Sequence, residues 1–593
     1  MIDVNVASQS FSLVDSVILI LMLIISLGIG IYHGYANRKT LKTEVEYLMG
    51  GKNMSVVPVG MSILASTLSA IGLMGVQTEM YLYGSTFAFS FFPFLVTALL
   101  FNRYILPIFY SLNITSMYHY LEKRFDRRVR LFGSISFLIL STLYMPILLY
   151  VPSLSLNQVT GTNIHVTSSI LVAIVVLYTC IGGFRATVWT DVFQTITMFG
   201  SIIVVLIKGT VELSDEIGFE GIFRNTYERD RYEFPTLRID PTIRHSFWSI
   251  TLGGVGYCGY IFCNQNVVQR YLSLPSLKKV HRAAWLSVSI FVSIYFLSIY
   301  GGSLLLATFS DCDPKMAGLI REHDQLIPFF VLLISRNLPG LAGIFIGGMF
   351  CAALSSMSTF LNSMAAVVLE DFFKPLSRRN LTMRAKNWIM RGVVVVCGLL
   401  CVPLMAIAEK SNTIMQLTNS FEGVTSGSVL GIFILGIFFP SINGSCALMG
   451  GIAGLVLMGW ISFSAQSAIA AGDLIFETKP LTHEGCPDVF NITVHLNETA
   501  LNTESSYVMP LFRISYLFYI PLGIITTISV AFLMRLISGG NKPGDVDATL
   551  ISRLVHSRDT DVNEIAQSQE ILEEKIDLMS KEEKLLSRVK ITK

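Results

Sequence analysis

Charged side chains are scarce in this chain. Asp, Glu, Lys and Arg make up 14% of the 593 residues, and hydrophobic residues make up 52%. A typical soluble domain is about 25% charged. So few charges cannot cover the surface of a soluble protein of this length, and the composition therefore indicates a protein embedded in a lipid bilayer.

Motifs for catalysis and for nucleic-acid binding are also missing. The sequence contains no HExxH, no Cys and His cluster with zinc spacing and no GxxxxGK[ST] phosphate loop, and its nine His residues are scattered. The net charge is only +2, and the basic residues collect in short loops. We therefore expect neither an enzyme nor a partner of nucleic acid.

Long apolar runs are what the sequence does contain. They recur from one end to the other at about 20 residues each, long enough to cross a hydrocarbon layer of about 30 Å. We count 13, which predicts an all-α polytopic membrane protein. The predicted parts are a leading helix in 1–33, five helices in 54–211, five in 245–439, two in 446–536, and a tail in 537–593.

The positions of Lys and Arg predict the orientation. The loops at 34–53, 112–130, 269–282 and 373–391 each carry four to six of them and alternate along the chain, and cationic loops stay in the cytoplasm. The N-terminus is then extracellular and the C-terminus cytoplasmic.

The loop 466–510 has the features of an extracellular segment. It holds a single Lys against six acidic residues, and its sequons at Asn491 and Asn497 predict glycosylation. Cys486 in this loop and Cys312 in another predicted outer loop can form a disulfide in an oxidising compartment, or stay free thiols.

Two apolar segments are interrupted by glycine and polar residues, at 63–84 and 249–265. Each is the first of its set of five. Such paired interruptions are typical of inverted-repeat transporters, in which unwound backbone at mid-membrane binds solute and ions. Glycines that only let helices pack closely are the alternative.

Hydroxyl groups are concentrated in the segment "CAALSSMSTFLNS" (351–363). On a helix, Ala352, Ser355, Ser356, Thr359 and Ser363 share one face. A carbonyl with hydroxyls three and four residues later presents oxygens to one point, as a hard cation requires. Alternatively, the hydroxyls bond back to their own helix and ease packing.

Five segments occur in a fixed order along the chain. They are "GGKNMSVVPVGMSILASTLSAIGLMGVQTEMYLYG", "YVPSLSLNQVTG", "YTCIGGFRATVWTDVFQ", "NQNVVQRYLSLPSLKK" and "CAALSSMSTFLNSMAAVVLEDFFKP". In these segments the chain resembles the sodium/solute symporter family, and the resemblance covers about residues 10–540. The similarity is greatest to the family's anion branch, which includes sodium-coupled monocarboxylate transporters, the sodium-dependent multivitamin transporter and the sodium/iodide symporter.

The resemblance implies a leucine-transporter-type fold of five plus five inverted helices, alternating access, and a sodium (Na+) site. The implied ligands are the carbonyls of Ala65, Leu68 and Ala352 and the hydroxyls of Ser355 and Ser356. Asp191 matches an acidic residue near a second, inner cation position. Its alternative role is to cap or pair at the cytoplasmic end of its helix.

The expected substrate is a small organic anion, either a monocarboxylate or a vitamin-like carboxylate. Gly72 stands where sugar-transporting relatives carry histidine and where the iodide transporter carries glutamine. We expect no Lys or Arg at mid-membrane, so an anion would be held by sodium, hydroxyls and the positive ends of broken helices. Candidate substrate residues are Ser69, Gly72, Gly75, Tyr150, Tyr257, Asn362 and Glu422.

Glu422 leaves two alternatives open. It faces an outer vestibule, or it selects cationic or hydroxylated substrates. The whole chain is thus expected to be a plasma-membrane sodium symporter that binds a solute, sodium and the lipid bilayer. Rival functions are a sodium-coupled sugar, inositol, choline or iodide symporter, and a solute sensor that does not concentrate its ligand.

Overall fold

The computed structural model describes residues 11–36, 44–112, 114–377, 381–409, 414–474, 476–487, 508–542 and 546–555. This part of the chain is helical, and its only β pairing is a single bridge between Thr236 and Ser246. The helices of the first half are α1 (Leu13–Ala36), α2 (Glu44–Met49), α3 (Val56–Thr67), α4 (Ala70–Tyr83), α5 (Phe91–Leu100), α6 (Leu106–Ser111), α7 (Tyr118–Arg124), α8 (Arg127–Thr160), α9 (Ile164–Ile217) and α10 (Phe219–Glu228).

The helices of the second half continue the same pattern. They are α11 (Phe247–Phe262), α12 (Gln265–Tyr271), α13 (Leu277–Thr308), α14 (Leu326–Ile334), α15 (Leu341–Val367), α16 (Lys374–Leu376), α17 (Met383–Glu409), α18 (Ile414–Phe438), α19 (Gly444–Ala471) and α20 (Tyr519–Ser538). A π-helical turn, Val368–Phe373, joins α15 to α16.

Ten helical segments of the described residues are long and apolar enough to cross a membrane, and α3 with α4 forms an eleventh, bent span. The helix α9 has 54 residues, about 81 Å at 1.5 Å per residue, far more than one bilayer crossing needs. Gly183, with φ 59° and ψ −160°, breaks it in the middle. Counting α9 twice and adding α11 gives the expected 13 spans.

The first predicted interruption lies between α3 and α4, whose axes bend by 60°. Leu68 and Ser69 are extended, with φ −101° and ψ 109° at Leu68. The Ser69 hydroxyl then accepts a hydrogen bond from the Gly72 N–H (3.4 Å) and caps α4. A serine cap followed by a new helix explains why the chain breaks here.

The second predicted interruption, 249–265, contains a break, but not at the glycines that predicted it. The helix α11 runs unbroken through the glycines at 253–259, and the break comes later, at Cys263 and Asn264. A Cβ at Gly253 would lie 2.6 Å from the Leu517 carbonyl oxygen, and one at Gly256 would lie 3.0 Å from Pro521. These two glycines therefore allow close helix packing and do not unwind the chain.

Helix α15 lies at the centre of the bundle. It packs against α1, α3, α8, α9 and α17, and every residue from Phe345 to Val367 is buried. Such a helix is not exposed to lipid, so its polar side chains can find partners within the protein.

Two connections fix the loop after α13 to other parts of the chain. Cys312 and Cys486 form a disulfide that joins the loop after α13 to the loop after α19. The neighbouring Asp313 accepts a hydrogen bond from the Tyr81 hydroxyl of α4 (2.8 Å). The loop after α13 is thereby fixed to the end of the broken span.

Candidate functional site

Oxygen atoms from α3 and α15 converge beside the break. The Ala65 carbonyl oxygen accepts hydrogen bonds from the hydroxyls of Ser355 (3.1 Å) and Ser356 (3.2 Å). The Ser355 hydroxyl also lies 3.0 Å from the Ala352 carbonyl oxygen. All four residues are buried, so four of the five predicted sodium ligands surround one point inside the protein.

The fifth predicted ligand, Leu68, directly follows the last residue of α3. In a continuous helix the Gly72 N–H would donate to the Leu68 carbonyl, but here it donates to the Ser69 hydroxyl. The break therefore removes this helical partner from the Leu68 carbonyl. All five candidate oxygens are neutral, which suits a monovalent cation better than a divalent one, whose sites usually include carboxylates.

Asp191 of α9 takes part in a buried ion pair with Arg270 of α12. Its Oδ2 accepts hydrogen bonds from the Ser62 hydroxyl (2.5 Å) and from Arg270 Nη2 (3.0 Å). Arg270 also donates to Thr359 Oγ1 (2.5 Å), and Thr359 donates to the Ser355 carbonyl (2.8 Å). Asp191 thus forms an ion pair, which was the alternative role predicted for it. Through Arg270 and Thr359 this pair is linked to α15, the helix that carries Ser355.

One carboxylate oxygen of Asp191, Oδ1, is left without a hydrogen-bond partner among the described residues. Arg270 is fully buried in α12, and it was not among the candidate residues predicted from the sequence. It follows a short break after α11 and lies within the predicted basic loop 269–282, which concealed it in the sequence.

Aromatic side chains and an acid lie on the other side of the break. Tyr144 of α8 lies beside the Ser69 side chain, and its ring is 5.3 Å from that of Phe360 in α15. The side chain of Glu422 in α18 is buried, and its Oε2 has no hydrogen-bond partner among the described residues.

Three tyrosines lie within electrostatic range of this acid. Tyr144, Tyr257 and Tyr260 all interact with the Glu422 carboxylate. Tyr260 is held by Asn264 at the start of α12, whose amide donates to its hydroxyl (2.7 Å). We call Glu422, Tyr144, Tyr257 and Tyr260 the tyrosine cluster. Neither Tyr144 nor Tyr260 was predicted, because a single aromatic residue in an apolar helix has no distinguishing pattern.

Three further candidates are Gly72, Gly75 and Tyr150. Gly72 has open space beside it, since a Cβ there would meet only Leu68 Cδ1, at 3.4 Å. Gly75 is buried one turn further along α4. Tyr150 interacts electrostatically with other acidic groups, among them Glu409, and not with Glu422.

Asn362 is buried on α15, about 10 Å along the axis from Ser355 at 1.5 Å per residue. Its amide nitrogen has no hydrogen-bond partner among the described residues. The predicted glycosylation residues Asn491 and Asn497 lie outside the described residues.

Known proteins resemble this chain over most of its length. The model of the sodium:solute symporter family matches residues 47–454. Sodium-coupled monocarboxylate transporter 1 of Homo sapiens is 34% identical over 90% of this chain and 88% of its own length. The putative sodium-dependent multivitamin transporter of Drosophila melanogaster is 33% identical over 91% of this chain and 90% of its own.

A solved structure supports the architecture. The substrate-bound, outward-open structure of a Na+-coupled sialic acid symporter superimposes with a TM-score of 0.71 at 22% identity, covering 89% of this chain and 98% of that one. This likeness confirms the expected all-helical symporter fold. Together with the family match and the relatives above 30% identity, it shows that this chain belongs to the sodium:solute symporter family.

Proposed function

We propose that this protein imports a small organic anion, a monocarboxylate or vitamin-like carboxylate, across the plasma membrane together with Na+. The observation that carries the proposal is the convergence of the Ala65, Ala352, Ser355 and Ser356 oxygens at the break of a bent span. The relatives named above, which are sodium-coupled monocarboxylate and sodium-dependent multivitamin transporters, support it.

In this proposal, the broken span couples the binding of sodium to the binding of the substrate. Sodium bound between Ala65 and the α15 serines would hold α3 against α15. The same break presents the N-terminus of α4, with Ser69 as its cap, to the tyrosine cluster. Backbone N–H groups at a helix N-terminus attract a carboxylate. Sodium binding would therefore fix the backbone that receives the substrate.

Asp191 has a different part in this proposal. Its Oδ2 holds Arg270, and the free Oδ1 is the anionic oxygen offered to a second, inner cation. Two sodium ions per monoanion would move one net charge, so that the membrane potential contributes to uptake. One sodium per monoanion would move none.

The membrane orientation belongs to the same proposal. The N-terminus is extracellular, the C-terminus is cytoplasmic, and 54–211 and 245–439 form the two inverted repeats. The basic loops support this orientation. The disulfide supports it as well, because it joins two loops assigned to the oxidising side.

Uptake into oocytes tests the proposed function. Labelled monocarboxylates, biotin, pantothenate, iodide, hexoses, inositol and choline would be offered in sodium and in potassium medium. We expect sodium-dependent uptake of a carboxylate, abolished in Ser355→Ala/Ser356→Ala. Uptake confined to a sugar, inositol, choline or iodide would reject the anion, and sodium-independent responses would reject symport.

A further inference from the structure

Glu422 is a buried carboxylate without a matching positive charge. Its side chain is 6% exposed, and no Lys, Arg or His among the described residues forms an ion pair with it. A carboxylate removed from water loses its hydration energy, and to stay ionised there it needs a counter-charge or strong hydrogen bonds. Such a residue in the middle of a span indicates a ligand that supplies the missing charge.

The surroundings of Glu422 suit one kind of positive charge. The tyrosine cluster combines three aromatic rings with the acid, and Phe360 packs beside Tyr144. Aromatic rings attract a cation through their negative faces, and cages of such rings recognise quaternary ammonium groups.

The opposite side of the cluster suits a carboxylate. Tyr144 lies beside Ser69, the cap of α4, and the helix α4 directs its first N–H groups toward this break. A simple monocarboxylate placed there would face the Glu422 carboxylate with no charge in between. A cationic group between the two carboxylates removes this repulsion.

We propose that the tyrosine cluster binds a substituted ammonium group, so that the preferred substrate is a small zwitterion with an ammonium group close to its carboxylate. This inference rests on the proposed sodium symport and narrows its substrate class. Within the zwitterion, the ammonium group faces Glu422 and the tyrosine rings, and the carboxylate faces the N-terminus of α4.

Two probes of equal shape test the inference. Glycine betaine carries a trimethylammonium group, and 3,3-dimethylbutanoate replaces the nitrogen with carbon and so lacks the positive charge. Sodium-dependent uptake of both would be measured for the wild type, Glu422→Gln and Glu422→Asp. Glu228→Gln makes the same acid-to-amide change at an exposed position of α10 and serves as the control.

We expect the wild type to take up glycine betaine with a KM at least about tenfold below that of 3,3-dimethylbutanoate, since losing one partner of a buried charge pair typically weakens binding by more than tenfold. Glu422→Gln should lose that preference while still carrying 3,3-dimethylbutanoate, whereas Glu422→Asp and Glu228→Gln should keep it.

The results separate the two proposals. A wild type that prefers 3,3-dimethylbutanoate overturns the zwitterion inference and leaves sodium symport standing. The inference also fails if Glu422→Gln keeps the wild-type ratio. Should the wild type take up neither probe nor any other carboxylate in a sodium-dependent way, the proposed function itself fails. The comparison of the two probes in the wild type tests the zwitterion inference even if a variant does not reach the cell surface.

Discussion

Removing one hydroxyl from the proposed sodium site should weaken sodium dependence by a defined amount. The Ser356 hydroxyl contacts the Ala65 carbonyl at 3.2 Å, and the Ser355 hydroxyl contacts both Ala65 (3.1 Å) and Ala352 (3.0 Å). A hydrogen bond to a charged group contributes about 1.5–3 kcal/mol, and we take one oxygen ligand of a cation to be similar. Loss of one ligand should then raise the half-saturating sodium concentration about 10- to 150-fold.

The assay is substrate uptake at saturating carboxylate over a series of sodium concentrations. Ser355→Ala and Ser356→Ala should each shift the curve, and the double variant should show no saturation in the accessible range. Ser287→Ala is the matched control, because Ser287 is buried in α13 and donates to its own helix at the Ala284 carbonyl (2.8 Å). Half-saturating concentrations within twofold of wild type in both single variants would refute the assigned ligands.

Three further predictions concern voltage, the inner ion pair and the disulfide. Uptake of a monoanion should rise as the membrane potential becomes more negative, because each net charge moved through 100 mV adds about 2.3 kcal/mol of driving force. Uptake that does not change with voltage in clamped oocytes would exclude two sodium ions per anion. Arg270→Met should cost about 3–5 kcal/mol of stability, because it leaves Asp191 buried without its partner. Adding Asp191→Asn should recover part of this loss. Thermal unfolding in detergent measures both variants, and equal losses in the single and the double variant would contradict the pairing. Cys312→Ser should cost about 2–5 kcal/mol of stability, and the melting temperature of this variant should not change when reductant is added. A wild-type protein whose melting temperature is equally insensitive to reductant would show that the disulfide does not form.

Much of the fold could be predicted from the sequence because a bilayer imposes long apolar runs and short basic loops. The break near Ser69 was predictable as well, since polar residues and glycine interrupt that run. The second break was misplaced because a glycine that allows close packing, such as Gly253, gives the same pattern as one that unwinds a helix. Only the position of Leu517 against it distinguishes the two.

The site was predictable only in part. Ser355 and Ser356 stand out because hydroxyls at helical spacing are conspicuous in an apolar segment. Arg270 was missed because its burial depends on three other helices, among them α9 with Asp191. The tyrosines around Glu422 come from two helices that are far apart in sequence, and no local sequence pattern predicts that they lie close together.

The most direct test of the central claim is accumulation by the purified protein in proteoliposomes. An inward sodium gradient should drive a labelled carboxylate substrate above its outside concentration, and a sodium ionophore should abolish the accumulation. Liposomes with Ser355→Ala/Ser356→Ala should only equilibrate or take up nothing. Accumulation of the same solute in the absence of sodium, or its persistence after the gradient has collapsed, would contradict sodium-coupled symport through this site.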